Sequence, residues 1–332
     1  MLACDLPQVA GHPLVTDGGM ETDLIFHHGV ELPHFAAFVL IDDELGRGRL
    51  ERYYEAYADV ARRAGAGLLL DAPTWRANAD WGALVGYGAE DLARVNRAAI
   101  AWLLELRHRR FGDLDDVVVS GMVGPRGDGY QPGAGVDPDQ AAAYHGPQVE
   151  AFAAAGVDVV SAYTLTDPGE AVGIVRAARR VGVAVAVSFT VETDGRLPGR
   201  LTLMEAIAAV DAAGGPDYFG VNCAHPSHVE LAIGPADGNA GTVPADGAGD
   251  WRQRIVELRC NASTKSHAEL DEADALDEGD PTGFGPAHDR LRAVFPRLAV
   301  LGGCCGTDVR HVAGLWGVAD GQPVASERWP AM

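Results

Sequence analysis

Eight short apolar runs, rich in β-branched residues, punctuate the chain at fairly regular intervals. They read "PLVTDGGM" (13–20), "AGLLLDAP" (66–73), "DVVVSGMVGP" (116–125), "VDVVSAYTL" (157–165), "GVAVAVSFTV" (182–191), "DYFGVNCAH" (217–225), "IVELRCNAS" (255–263) and "LAVLGGCCGT" (298–307). Between them lie segments whose apolar positions repeat at helical spacing: 47–64, 89–110, 138–155, 168–181, 202–213, 284–295 and 307–318. Several of these end near a glycine before the next apolar run, as in "RAGAG", "AAGVD" and "RVGVA". Runs apolar on both faces are those of buried parallel strands. Eight of them, mostly followed by a helix, predict an α/β protein built as a single (β/α)8 TIM-type barrel. An open doubly wound sheet is the alternative. It predicts fewer strands and a glycine phosphate fingerprint after the first, whereas "TDGGMETD" is not G-x-G-x-x-G.

Two stretches break the alternation and read as insertions in one domain covering 1–332. Residues 233–250 are rich in Gly, Pro and Asp, and 268–286 are acidic. Both follow strands, so a barrel would place them toward its C-terminal face, as lids or as solvated loops. The chain has 332 residues, and its 47% hydrophobic content is enough for a large core. A net charge of −21 argues against nucleic acid and anionic membranes as partners, since like charges repel. No apolar stretch approaches the ~20 residues of a membrane span, and the N-terminus has no secretory pattern. The expectation is a soluble, cytoplasmic protein whose partners are small molecules. A homo-oligomer stays open.

The cysteines carry the candidate chemistry. Five of them, widely scattered, make a poor disulfide framework. Cys223 closes the sixth strand, and Cys304 and Cys305 close the eighth. In a barrel these strands flank the seventh, with neighbours ~4.8 Å apart. Three thiolates could then converge on one ion. Adjacent residues on a strand point to opposite faces, but the glycines of "GGCCG" let the backbone leave extended geometry. Zn2+ is the expected cofactor: it accepts thiolates, and three protein ligands leave an open position. Such a thiolate-rich centre suits a substrate thiol better than it suits activating water. Buried free thiols are the competing explanation. Cys4, in the N-terminal segment, and Cys260, inside strand seven, read as bystanders, with Cys260 a reserve ligand.

"GVNCAHP" followed by "GGCCGT" resembles the zinc-dependent homocysteine S-methyltransferases. "TDGGMETDL" is similar to that family's opening motif and "GMVGPRGDGY" to its third-strand motif, so the resemblance spans residue 14 to about 318. It implies a (β/α)8 barrel in which Cys223, Cys304 and Cys305 bind zinc and act through it. It also implies that Asp17 is an acid near the homocysteine site and that the backbone at Gly18 and Gly19 approaches the substrate. Asn222 would hold nearby backbone or substrate, or simply cap the strand end. His311 would pack a helix or support the site, and Glu170 would be structural. The chain departs from the family pattern at Tyr163, which stands where an acid is common. A phenol carries no charge near neutral pH, so either Glu21 or Asp71 substitutes, or the substrate differs.

The resemblance implies a methyltransferase of methionine biosynthesis, an enzyme of class EC 2.1.1. It would move a methyl group from a small onium donor to homocysteine, giving methionine. The first-choice donors are S-methylmethionine or S-adenosylmethionine, with betaine second. Trp75, Tyr163 and Phe189 are candidate rim aromatics for contact with the onium. Two other outcomes stand beside this one: methylation of another small thiol or selenol, and a non-catalytic zinc or redox-sensing protein.

Overall fold

The structure is a computed structural model that describes residues 6–127, 135–234, 250–273 and 275–318. Cys4 and most of the 233–250 stretch lie outside the described residues. Eight parallel strands close into a barrel in sequence order: β1 (Leu14–Val15), β2 (Gly67–Asp71), β3 (Val117–Val123), β4 (Val159–Leu165), β5 (Ala184–Phe189), β6 (Tyr218–Asn222), β7 (Ile255–Cys260) and β8 (Val300–Gly303). Closure is made by β1 pairing with β8, Leu14 against Val300. The protein is therefore a (β/α)8 TIM-type barrel, and the open-sheet alternative falls away.

The helical spacing emerges as helices Glu44–Ala64, Ala89–Arg110, Pro138–Ala155, Pro168–Val181, Leu203–Ala212 and Val309–Leu315. Residues 284–295 form part of two short helices, Pro281–Ala287 and Asp289–Val294. Asp43, Asp137, Asp167, Thr202 and Asp308 cap helix starts by accepting backbone N–H bonds. Gly65, Gly156 and Gly182 end their helices in the left-handed conformation, which the glycine-before-strand pattern anticipated. The first run is shorter as a strand than expected. Past Gly19 the chain turns into helical segments, Met20–Thr22 and Asp23–His27, which carry Glu21 to the barrel mouth.

The barrel interior changes character from bottom to top. Leu14, Leu69, Val118, Val159, Tyr218 and Val300 form an apolar floor, which Leu6 of the N-terminal segment helps to close. Above it lies a polar layer in which Ser120 bonds Ser161 at 2.8 Å and Thr16 approaches Asp71 at 3.4 Å. The larger apolar cluster sits outside the strands, between barrel and helices. Phe189 belongs there, fully buried and stacked on Phe219 with centroids 6.2 Å apart. Of the candidate rim aromatics, Phe189 makes no rim contact: as the last residue of β5 it packs in this outer apolar layer. Cys260 faces the same outer layer, where burial pushes its thiol pKa up.

Candidate active site at the C-terminal mouth of the barrel

Strand β8 ends at Gly303, and Cys304, Cys305 and Gly306 turn back across its end. The turn closes with Thr307 N–H donating to the Cys304 carbonyl at 3.0 Å, and Gly306 takes φ +77°. A side chain at Gly303 would collide with the Thr307 hydroxyl, its Cβ only 2.0 Å away. The glycines therefore release the cysteine pair from strand geometry. Cys223 arrives from β6, and its sulfur lies 3.6 Å from that of Cys305. All three sulfurs lie within 4.8 Å of one another.

Cys223 adopts φ +57°, a conformation that costs an L-residue roughly 1–2 kcal/mol. Its carbonyl is held by three donors: Thr190 Oγ1 at 3.2 Å, Asn261 Nδ2 at 3.1 Å and His267 Nε2 at 2.6 Å. His267 in turn pairs through Nδ1 with Glu192 at 2.7 Å. Burial works to lower the His267 pKa, but hydrogen bonds to Cys223 and Glu192 outweigh it and lift it to about 10. Asn222 ties the neighbouring strand in. Its carbonyl accepts from Thr164 N–H at 2.8 Å, while its amide donates to Thr164 Oγ1 at 2.9 Å and reaches Cys304 Sγ at 3.8 Å.

The sulfur cluster forms part of the wall of a cavity of 430 Å3, within the ~300–1,000 Å3 usual for ligand pockets. Asp17, Gly18, Gly19, Glu21, Trp75 and Tyr163 line it as well. The room left by the two glycines is already taken by the protein. A Cβ at Gly18 would meet Tyr57 and Thr307, and one at Gly19 would meet the Cys304 carbonyl at 2.5 Å. Their smallness thus seats the cysteine turn against β1. Gly124, in the third-strand motif, plays the same part for Trp75, whose backbone and ring a Cβ would strike.

Beneath the cavity lies an ionic layer for which the sequence reading made no allowance. Arg259 of β7, fully buried, pairs with Asp17 and Asp71 and donates to the carbonyls of Gly303 at 3.1 Å and Gly18 at 3.3 Å. The Tyr163 hydroxyl lies 2.6 Å from Glu257 and 3.1 Å from Asp71. Burial, helped by Asp71, raises Glu257 to about 8, so at neutral pH its carboxyl holds a proton. Glu257 then donates to the phenol oxygen, and the phenol donates to Asp71. Burial also raises Asp17 to about 6, with Arg259 opposing, and raises Glu21 to about 7.

Of the two acids expected to stand in at Tyr163, Glu21 lines the cavity and Asp71 does not; Asp71 lies below, engaged by Arg259, Thr16 and Tyr163. Its expected substrate contact is corrected accordingly. Glu170 bonds His145 at 2.9 Å and the Arg126 amide at 2.7 Å, a structural role. His311, in the first turn of the Val309–Leu315 helix, accepts from the Asp308 amide at 3.1 Å and holds the Glu278 carbonyl at 2.8 Å. The acidic 268–286 stretch is more than a solvated loop. Leu270, Leu276 and Asp277 line the cavity, and His27 and Arg310 fasten Glu278 beside it. Glu257 and Arg259 carried a legible signal: two charged residues, two apart, in a run that must be buried on both faces. His267, Thr190 and Asn261 carried none, because only the fold brings them to one carbonyl.

Without a cation the three thiols ionise one at a time. Hydrogen bonds from Cys304 and Cys305 hold Cys223 well below the usual thiol range, and the Cys223 thiolate pushes the other two up. Two thiolates on a tetrahedral zinc with ~2.3 Å bonds stand about 3.8 Å apart. The Cys223–Cys305 separation of 3.6 Å and the all-sulfur donor set fit such an ion. No helix among the described residues is long and apolar enough to cross a membrane.

Comparison with known proteins agrees with this picture. The model of the family described as homocysteine S-methyltransferase matches residues 14–317. The homocysteine methyltransferase MmuM from Escherichia coli is similar in fold. Its oxidised form gives a TM-score of 0.66 at 20% identity, covering 92% of this chain and 95% of that one. Its metallated form gives 0.65 at 21%, covering 92% and 96%. No curated protein sequence matches the chain.

Proposed function

The chain belongs to the homocysteine S-methyltransferase family, and from that premise we propose that it moves a methyl group from a small onium donor to the thiol of homocysteine, giving methionine. The observation that carries the proposal is the convergence of Cys223, Cys304 and Cys305 at a cavity that also exposes Asp17 and Glu21. The three cysteines would hold Zn2+. A bound zinc ion would offer a fourth position to the acceptor thiol and lower its pKa.

The chain's own residues account for the rest. Asp17 and Glu21 meet the acceptor ammonium. A carboxyl raised to about 7, as at Glu21, gains charge when a cation arrives beside it. Asn222 and Thr164 brace Cys304 against β4. The rings of Trp75 and Tyr163 present apolar and π surface to an onium group. The thiol first releases its proton to solvent; in the transfer the resulting thiolate forms a carbon–sulfur bond to the methyl group. The donor's carbon–onium bond breaks, and the donor departs as a neutral sulfide or amine. Opposite charges vanish together, so a cavity that sheds water favours the step. S-methylmethionine or S-adenosylmethionine is the preferred donor and betaine the second.

Tyr163 supports a second reading, in which another small thiol or selenol is the acceptor. Its phenol is spent on Glu257 and Asp71 and offers the cavity no charge. The test is metal analysis with Cys304→Ser. About one zinc per chain is expected, lost in the variant together with methyl transfer. Full activity after metal removal would refute the zinc proposal. Competition across a panel of thiols and selenols separates the acceptors, and absence of preference for homocysteine would sink the first.

A further inference from the structure

Methyl transfer in this cavity poses a problem of choice. The proposed function sets the acceptor thiolate beside three cysteine thiolates, and all four are sulfur nucleophiles. A cysteine that took the methyl group would form a carbon–sulfur bond and become an uncharged thioether, no longer a thiolate ligand, while the donor left as a neutral sulfide or amine. Burial shields Cys223, which is 1% exposed, whereas Cys304 and Cys305 are half-buried in the cavity wall. These two sulfurs have different surroundings. Asn222 Nδ2 lies 3.8 Å from Cys304 Sγ. Among the described residues no N–H donor reaches Cys305 Sγ, whose neighbour at 3.6 Å is the Cys223 sulfur.

Thr164 fixes which end of the Asn222 amide meets Cys304. The Thr164 N–H donates to Asn222 Oδ1 at 2.8 Å, so the oxygen faces β4 and the nitrogen is left to donate. That nitrogen gives one hydrogen to Thr164 Oγ1 at 2.9 Å and directs the other toward Cys304 Sγ. Thr164 makes both bonds from a left-handed φ of +62°, at the bulge where β4 slips register against β5. Arg259 also lies within electrostatic reach of Cys304, but it is engaged by Asp17, Asp71 and two carbonyls, so the amide is the donor aimed at the sulfur. A hydrogen bond draws charge from a thiolate, and a less basic sulfur is a weaker nucleophile. We propose that Asn222 is a specificity-determining residue that guards Cys304 from alkylation. An electrophile in the cavity is then attacked by the acceptor thiolate or, when no acceptor is present, by Cys305. This rests on the zinc-thiolate reading of the site, but its test uses neither the methyl donor nor turnover.

The test is alkylation of the purified, zinc-loaded full chain by iodomethane without homocysteine, the methylated sulfur being located by fragment mass spectrometry. Each event forms a sulfur–carbon bond and releases iodide. Wild type is expected to alkylate Cys305 at least about 10-fold faster than Cys304, the effect of one hydrogen bond to a charged group. Asn222→Leu, which removes the donor, should bring the two rates to within about threefold of each other. Should that variant not take up metal, Asn222→Ala removes the same donor without added bulk and carries the test. Comparing neighbouring sulfurs on one chain cancels a general loosening of the cavity, which would speed both. In the cobalt-loaded chain the same substitution should move the sulfur-to-metal charge-transfer absorption to lower energy. Equal rates in wild type would overturn the proposal, and so would a rate ratio or an absorption left unchanged by the loss of the amide. Equal rates in a chain that methylates homocysteine would fail this inference alone. A chain that spares Cys304 but methylates no thiol would fail the methyl-transfer reading alone.

Discussion

Replacing His267 by alanine tests how the backbone aims Cys223. The residue is held at φ +57° by three hydrogen bonds to one carbonyl, and the bond from His267 is the shortest, at 2.6 Å. Against burial, Cys223 and, on the far side of the ring, Glu192 raise the imidazole pKa to about 10, so this bond belongs to the stronger, charge-assisted kind, worth about 1.5–3 kcal/mol. The bonds from Thr190 and Asn261, at 3.2 and 3.1 Å, are neutral and worth about 1 kcal/mol each. Left-handed strain at Cys223 opposes them by a comparable ~1–2 kcal/mol. With His267 gone the two sides nearly balance, and the metal-free chain can relax. Metal binding must then restore the strained conformer. The expected loss of zinc affinity is about 1.5–3 kcal/mol, roughly 10- to 150-fold, in line with the ~10–100-fold typical of groups that orient metal ligands. Competition against a chromophoric chelator measures it. His267→Gln, which can offer a neutral donor, should lose less than His267→Ala. Zinc affinity within threefold of wild type, in a variant that still melts cooperatively, would refute the reasoning.

Two further outcomes are expected. Tyr163→Phe removes the hydroxyl shared by Glu257 and Asp71, leaving buried Glu257 Oε1 without that partner while Asp71 keeps Arg259 and Thr16, and should lower unfolding free energy by about 1–3 kcal/mol in denaturant titration; a loss below about 0.5 kcal/mol would show that the bonds contribute nothing net. At the cavity edge, His27 is raised from 6.5 to about 9, chiefly by its hydrogen bond to Asp23 and then, against burial, by Glu278. A raised folded-state pKa means that this contribution is complete below pH 6.5 and is lost as pH rises through 9. Hydrogen exchange, corrected for intrinsic rate, should therefore show residues 276–280 loosening between pH 7.5 and 10. His27→Gln should already be loose at pH 7.5, with little further change.

Alternation of apolar runs with helical spacing was enough to specify the barrel, because eight runs buried on both faces have few other ways to close. Within that barrel, Cys223 and the Cys304–Cys305 pair fell at strand ends one strand apart on either side of β7, so their meeting was readable from connectivity alone. Glycines beside the cysteines were readable as well, although their office is to fit Thr307, Cys304 and β1 together. What the linear pattern could not decide was which polar side chains share a layer. Arg259 meets Asp17 and Asp71 across 242 and 188 positions, and no local periodicity encodes partners so distant. That layer explains why Asp71 sits below the cavity and why Tyr163, whose ring lines the cavity, turns its hydroxyl to Glu257 and Asp71: a buried guanidinium requires opposing carboxylates, and these in turn need a donor. His267 and the 268–286 stretch became part of the site for the same reason. Local sequence determines the strands and their ends, whereas the charge balance of a water-poor interior is settled only when residues far apart in the chain are packed together.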